Sequence, residues 1–404
     1  MNQVALLETI DPMAGELFVD AGFQVETIGM HDDTAALAGI AERSRALGIR
    51  SKPALTTEIF AAGTALEAIG CYCIGTDRID MKSADAHGVA IFNSRYENTR
   101  SVADLTIGSI IALMRRTVEH NQSMHDGVWS KTEERSYEVR GKTLGIIGYG
   151  SIGSQVSVLA ENMGMTVKYY DPDPKFPSFG KAERVASLDD LLGQSDVVSL
   201  HVPGTPKTKN MINAQTLAAM KPGSYLINTS RGDVVDYEAL RAFRESEHLL
   251  GVAVDVFSPE PNKRGDVFEH TLRGLPNVLL TPHIAGSTIE SSKGIARDTT
   301  GKLLGYLNNG NTVGSVNLPE VSLEPVLDGR TRVLHIHENL PGVEAAISDL
   351  IAGAGLNKAF QILQTRGELG YVAIDVEGQV PPALEQKLAT ALHTIRLRLI
   401  QRTT

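Results

Sequence analysis

The sequence predicts an α/β protein in three parts: a parallel sheet covered by helices, a longer doubly wound parallel sheet, and a small mixed tail. Three observations carry this prediction. Short, nearly uncharged apolar runs alternate with helix-like segments as far as about residue 286. A glycine-rich turn, Gly148-Tyr149-Gly150-Ser151-Ile152-Gly153, joins one such run to a helix. Beyond Gly329 the order of elements becomes βαββαβ. The length of 404 residues independently asks for two to four domains.

Residues 1–97 alternate the apolar runs Val4–Leu7, Val25–Ile28 and Val89–Phe92 with helix-like segments such as Thr57–Ala65 and Met81–His87. This rhythm builds a flavodoxin-like parallel sheet with helices on both faces. The only cysteines, Cys71 and Cys73, are spaced too closely for a redox or metal pair and read as buried strand residues, so no metal site is expected. Arg100–Asn121 reads as one long helix, capped by Ser101 with Asp104 three residues on.

From Lys142 come six strand candidates: 144–148, 166–170, 197–201, 224–228, 251–255 and 277–281. Helix-like stretches at 151–163, 187–193, 213–220 and 236–246 separate the first five. Six buried strands with helical crossovers describe a doubly wound, Rossmann-type sheet. After a Pro- and Gly-containing stretch ending at Gly329, the tail reads strand (332–337), helix (342–354), strands (358–365 and 371–377), helix (383–392) and strand (395–400). That is the ferredoxin-like order, and a unit this small usually leans on a partner.

Composition narrows the function classes. With 38 Lys+Arg against 48 Asp+Glu the formal charge is −10, which argues against a general nucleic-acid or anionic-membrane surface. The most apolar segment, Leu105–Met114, runs straight into Arg115 and Arg116, too short to span a bilayer. The N-terminus has no basic stretch ahead of its apolar run, so a cytoplasmic protein is expected.

In the glycine-rich turn, Gly148 permits the tight bend, Gly150 admits the pyrophosphate to the backbone, and Gly153 allows close helix–strand contact. The free N–H groups of the helix start favour the anion. Asp171 ends the next strand, 18 residues after the last glycine. A carboxylate there accepts both ribose hydroxyls and repels a 2′-phosphate, which points to NAD rather than NADP. Three later strands end in Asn228-Thr229-Ser230-Arg231, in Asp255-Val256-Phe257-Ser258-Pro259-Glu260, and in Thr281-Pro282-His283. Together they offer a guanidinium fork for a substrate carboxylate, a His to exchange the hydroxyl proton, and a Glu to orient it and favour its charged form. Asp255 is placed to bond a nicotinamide carboxamide.

These residues fall within longer strings: IGCYCIGTDRID, ENTRSVADLTIG, LGIIGYGSIGSQ, LINTSRGDVVD, DVFSPEP, LLTPHIAGST and HIHENLPGV. By them the chain resembles the D-isomer-specific 2-hydroxyacid dehydrogenases, in particular the short type with one C-terminal ACT domain. The resemblance implies a substrate domain at 1–97 and 287–325, an NAD-binding domain at 98–286 and an ACT regulatory domain at 330–404. It implies NAD-dependent oxidation of 3-phospho-D-glycerate to 3-phosphooxypyruvate, the first step of serine biosynthesis, with some relatives also reducing 2-oxoglutarate. Arg231, Glu260 and His283 fall on the family's catalytic residues. Ser151, Ile152, Asp171, Thr229, Ser230, Asp255 and Gly286 fall in its NAD site. Arg50, Ser51, Lys52, Gly75 and Asn98, with Arg231, fall on substrate positions. His337, Asn339 and Asn357 fall on positions that hold an L-serine effector, and a homotetramer is expected.

Some residues depart from the pattern. Ser94-Arg95 replaces a small residue followed by proline, Lys52 replaces arginine, and Glu344 and Lys358 stand where apolar residues are usual. The competing readings are another 2-hydroxyacid dehydrogenase, such as a glycerate or hydroxypyruvate reductase, and a non-catalytic NAD-sensing interaction protein.

Overall fold

A computed structural model describes residues 2–29, 33–50, 52–173, 180–261 and 265–401. The chain divides into two compact units, Met1–Glu97 with Ser292–Thr404, and Asn98–Ser291.

The first unit opens with alternating β1 (Gln3–Leu7), α1 (Met13–Asp20), β2 (Gln24–Ile28), α2 (Thr34–Arg43), β3 (Ala46–Ile49), α3 (Thr57–Ala62), β4 (Ala68–Cys71), α4 (Met81–Ala86) and β5 (Ala90–Asn93). The strands form one parallel sheet in the order β2-β1-β3-β4-β5. Every residue of β3, β4 and β5 is buried, as both faces of a helix-covered sheet require. Asp33 and Asp80 cap α2 and α4 by accepting from Ala35 N at 3.0 Å and Ser83 N at 3.2 Å. Cys71 closes β4 and is buried. Cys73 lies beyond the strand and is half-buried, so it is a loop residue rather than the strand residue expected.

The second unit begins with α5 (Thr99–Met114) and α6 (Thr117–His125), where one helix was expected. Arg116 takes the left-handed conformation (φ 50°) and separates them. Its guanidinium turns to Glu119 at 2.6 Å and to Glu134 O at 3.2 Å. Ser101 does not cap α5. Asn98 precedes the helix, Ser101 Oγ meets Thr288 Oγ1 at 2.8 Å, and Asp104 pairs with Arg100 at 2.8 Å.

There follow β6 (Thr143–Ile147), α7 (Ser151–Asn162), β7 (Thr166–Tyr170), β8 (Glu183–Arg184), α8 (Leu188–Gln194), β9 (Val197–Leu200), α9 (Ala214–Ala219), β10 (Ser224–Asn228), α10 (Tyr237–Glu245), β11 (Leu249–Val254) and β12 (Val278–Leu280). The parallel order is β12-β11-β10-β9-β6-β7-β8. The chain therefore reverses direction along the sheet between β6 and β9, the switch point where open α/β sheets bind ligands. The two-residue edge strand β8 was not anticipated.

The long helix α11 (Ile289–Asn309) leads back to the first unit. The tail follows as β13 (Arg330–Glu338), α12 (Val343–Gly353), β14 (Lys358–Arg366), β15 (Leu369–Glu377), α13 (Pro382–Ala389) and β16 (Thr394–Gln401). It forms an antiparallel sheet ordered β14-β15-β13-β16. Its helix-free face supplies Leu334, Ile336, Tyr371 and Ala373 to the apolar cluster that holds Phe92, Leu303 and Tyr306. Arg398 reaches Glu67 at 2.6 Å, Arg396 donates to Thr64 O at 3.0 Å, and Tyr371 donates to Gly310 O at 2.6 Å. The tail thus shares a core with the five-stranded sheet.

Candidate functional site

The dinucleotide turn follows β6 directly. Gly148 has φ 91°, and a Cβ there would lie 2.4 Å from His201 O; a Cβ on Gly153 would lie 2.2 Å from Gly148 O. Both positions exclude a side chain on steric grounds. A Cβ on Gly150, in contrast, would meet nothing within 4 Å, and no side chain caps α7. The start of α7 therefore has open space beside Gly150 and amides that no capping side chain occupies, as a pyrophosphate requires. Between the glycines, Tyr149 is buried and stacks on Tyr169 at 3.9 Å. Asp171 is 5% exposed and accepts from Tyr149 N at 2.8 Å and Asp173 N at 3.0 Å, which fixes its carboxylate beside the turn. These features fit an NAD adenosine and pyrophosphate.

Two loops bring His283 and Glu260 together. His283 Nδ1 lies 2.9 Å from both oxygens of Glu260. That bond favours the imidazolium and, outweighing burial, holds the His283 pKa above its ordinary value; the Glu260 charge adds to it. Burial would raise Glu260, but the hydrogen bond and charge of His283, the Phe257 amide and Arg231 keep it below the usual carboxylate range. With Nδ1 occupied, Nε2 is the nitrogen left for a substrate.

Asp255 shapes the same loop from beneath. It is 2% exposed; Oδ1 accepts from Thr281 Oγ1 at 2.6 Å and Ile284 N at 2.9 Å, and Oδ2 accepts from Ala285 N at 2.9 Å. The Asp255 carboxylate, expected to bond a nicotinamide carboxamide, is engaged first in holding the loop around His283, whose φ is 53°.

Arg231 leaves the end of β10 through a turn pinned by Asn228, whose Oδ1 accepts from Ser230 N at 3.0 Å and Ser230 Oγ at 2.8 Å, and whose Nδ2 donates to Arg231 O at 3.0 Å. The Ser230 hydroxyl is thus turned inward, and Thr229 Oγ1 lies 3.2 Å from Thr106 Oγ1 on α5. A Cβ on Gly232 would lie 2.2 Å from the Phe257 carbonyl carbon, so only glycine lets the Arg231 turn pack against the Glu260 loop. Asn228, Gly232 and Thr281 were not singled out from the sequence. A strand-final Asn ahead of a turn is a detectable signal, whereas the close approach at Gly232 exists only in three dimensions. Gly286 packs on Asn98, whose Nδ2 would lie 2.7 Å from a Cβ there; Asn98 Oδ1 is buried with no donor among the described residues.

The other residues expected to hold the substrate belong to the unit of the five-stranded sheet. Arg50 and Lys52 follow β3, and Gly75 follows β4. Ser51 lies outside the described residues.

The three residues expected to hold an effector do not meet within one chain. His337 is 3% exposed near the end of β13, and Asn339 donates to Gly367 O at 3.1 Å, just past β14. Asn357 precedes β14 and donates to Glu377 Oε2 at 3.1 Å. Nine strand residues separate the two asparagines, roughly 30 Å at the rise of a β-strand. The departures Glu344 and Lys358 satisfy each other indirectly. Glu344 accepts from Ser348 Oγ at 2.6 Å and Gln361 Nε2 at 2.5 Å, and Lys358 donates to Gln361 Oε1 at 2.9 Å and Ser348 Oγ at 3.0 Å.

Residues 107–285 match the model of the NAD-binding domain of D-isomer-specific 2-hydroxyacid dehydrogenases. The chain is 49% identical over 356 residues to D-3-phosphoglycerate dehydrogenase of Escherichia coli (strain K12), covering 88% of this chain and 86% of that protein. It is 44% identical over 387 residues to D-3-phosphoglycerate dehydrogenase 2 of Saccharomyces cerevisiae, covering 92% and 81%. Among solved structures, D-lactate dehydrogenase from Aquifex aeolicus complexed with NAD and lactic acid aligns with a TM-score of 0.70 at 28% identity, over 78% of this chain and 100% of that one.

Proposed function

The chain belongs to the D-isomer-specific 2-hydroxyacid dehydrogenases and has their NAD-binding domain; on that premise we propose that it oxidises 3-phospho-D-glycerate to 3-phosphooxypyruvate, the first step of L-serine biosynthesis, in the cytoplasm. The observation that carries the chemistry is the His283–Glu260 pair at 2.9 Å, placed after the dinucleotide turn on a sheet that also presents Arg231. NAD, when bound, supplies the two-electron acceptor for the hydride on C2. Arg231 holds the substrate carboxylate through its planar fork. His283 Nε2 takes the C2 hydroxyl proton as the carbonyl forms, and Glu260 stabilises the resulting imidazolium. Asp255 keeps the imidazole where the proton arrives. Arg50 and Lys52 are assigned to the phosphate, where charge and donated hydrogen bonds give selectivity over the bare hydroxy acid.

For regulation, the reading is that L-serine binds between two copies of the tail. An antiparallel pairing of two β14 edges about a two-fold axis sets Asn357 of one copy against His337 and Asn339 of the other. The 30 Å separation within one chain supports this, and a tetramer built through these and other contacts is the assembly proposed.

The test is a substrate panel of 3-phosphoglycerate, D-glycerate, D-lactate and 2-hydroxyglutarate with NAD and NADP, each with and without L-serine. The expected result is the highest kcat/KM for 3-phosphoglycerate with NAD, reduced by serine. A higher kcat/KM for D-glycerate would overturn the substrate assignment.

A further inference from the structure

In a parallel sheet each strand delivers its following loop to the same edge. β3, β4 and β5 are neighbours, so the loops after Ile49, Cys71 and Asn93 rise side by side. Hydrogen bonds lace them together. The Cys73 thiol lies 2.8 Å from Arg50 O and 3.2 Å from Gly75 O. The Ser94 amide donates to Cys73 O at 3.1 Å, and Asn93 Nδ2 donates to Ile74 O at 2.6 Å. The Arg50 amide is itself held by the Glu8 carboxylate, which follows β1, at 2.5 Å.

Arg95 emerges from this lacing. It is exposed, and among the described residues Nε alone is committed, to Asn93 Oδ1 at 3.3 Å. Asn93 is 6% exposed and anchored on the neighbouring loop, so the base of the Arg95 side chain is fixed while its terminal N–H groups remain available. Neither the Arg50 nor the Arg95 guanidinium has a carboxylate partner among the described residues, whereas Arg43, Arg45, Arg116 and Arg135 each meet a glutamate within 3.0 Å. These two guanidinium groups, without a carboxylate partner among the described residues, leave one sheet edge from strands two spacings, about 10 Å, apart, a span that two arginine side chains can bridge to one anion.

Building on the phosphorylated-substrate reading, we infer that Arg95 is a further phosphate-binding and specificity-determining residue, acting with Arg50 and Lys52. The ligand chemistry is that of a phosphomonoester. Its oxygens, carrying between one and two negative charges at neutral pH, accept paired N–H bonds from an arginine fork. Three cations from two loops grip such a group more strongly than the pair after β3 alone, and they leave an unphosphorylated hydroxy acid without this contribution.

The experiment compares kcat/KM of the full chain for 3-phosphoglycerate and D-glycerate, and measures inhibition by inorganic phosphate. Arg95→Ala lowers the ratio of the two kcat/KM values by about tenfold or more, a factor in the range of one charge-assisted contact. The loss appears mainly in KM for the phosphorylated substrate, and the inhibition constant of phosphate rises in parallel. Arg95→Lys recovers part of the loss. Arg140→Ala, which removes an exposed partner of Glu138, leaves the ratio within twofold. A wild type that prefers 3-phosphoglycerate, with ratio and phosphate inhibition unaltered in Arg95→Ala, overturns the role of Arg95 and leaves the phosphate reading intact. A wild type that does not prefer the phosphorylated substrate overturns that reading and the inference together.

Discussion

His283 owes its position to a backbone conformation that few side chains adopt. A positive φ is uncommon outside glycine, although His is among the residues that tolerate it, and here two acceptors for its amide, Asp255 O at 2.7 Å and Thr281 O at 3.0 Å, hold it there. The imidazole then meets Glu260, which favours its protonated form. A base must be neutral to accept a proton, so oxidation gains rate as pH rises through the raised His283 pKa. Glu260→Gln removes the carboxylate charge and lets His283 stay neutral at lower pH. The acid limb of the kcat/KM profile therefore moves to lower pH, while the maximal rate falls because the ring is less firmly oriented. An acid limb left in place in this variant would mean that another group sets it.

Between neighbouring elements, the functional geometry depends on how closely turns approach. The Arg231 turn after β10 and the Glu260 loop after β11 touch through Gly232, where a Cβ would lie 2.2 Å from the Phe257 backbone. Gly232→Ala forces the two turns apart, so kcat/KM is expected to fall at least about tenfold with secondary structure retained by circular dichroism, since misplacing catalytic groups by a fraction of an ångström is costly. Unchanged kinetics would show that the turns can relax independently. Much of this level was legible in the chain itself. The glycine-rich turn, the strand-terminal Asp171 and the apolar strand runs announce themselves because local periodicity and a short motif define them. The break between α5 and α6 does not, because Arg115-Arg116 contains neither Gly nor Pro. The two charged residues of β8 form an edge strand through their neighbour alone. Asp255 could be found as a strand-end acid, but its grip on the 281–285 loop depends on β11 and β12 lying side by side.

The whole molecule carries a formal charge of −10 yet is proposed to bind a phosphorylated acid and a dinucleotide. Its attraction for anions must therefore be local, at the start of α7, at Arg231 and at the β3–β5 edge, because screening confines a charged group's influence to about 10 Å at ordinary ionic strength. The C-terminal sheet adds a second kind of organisation. Its apolar face is committed to the five-stranded sheet, and a nearly buried pair, Arg332 with Asp375 at 2.6 Å, braces it; β14, exposed along most of its length, is one of its two edge strands. Asn339 and Asn357 mark opposite ends of that strand. Under the two-fold pairing proposed above, every effector site is a mosaic of two copies, and this has a genetic consequence. Asn339→Ala and Asn357→Ala homomers should each lose serine binding, whereas co-assembled from the two mutant chains, a mixed pair regains one intact site and concentrates both lesions in the other. Calorimetry on the mixture should then recover serine binding that neither parent possesses, at half a site per chain in each mixed pair; no recovery would place both asparagines in the same half. Two defective alleles would complement each other, and a heterozygote would keep a feedback response that both homozygotes had lost.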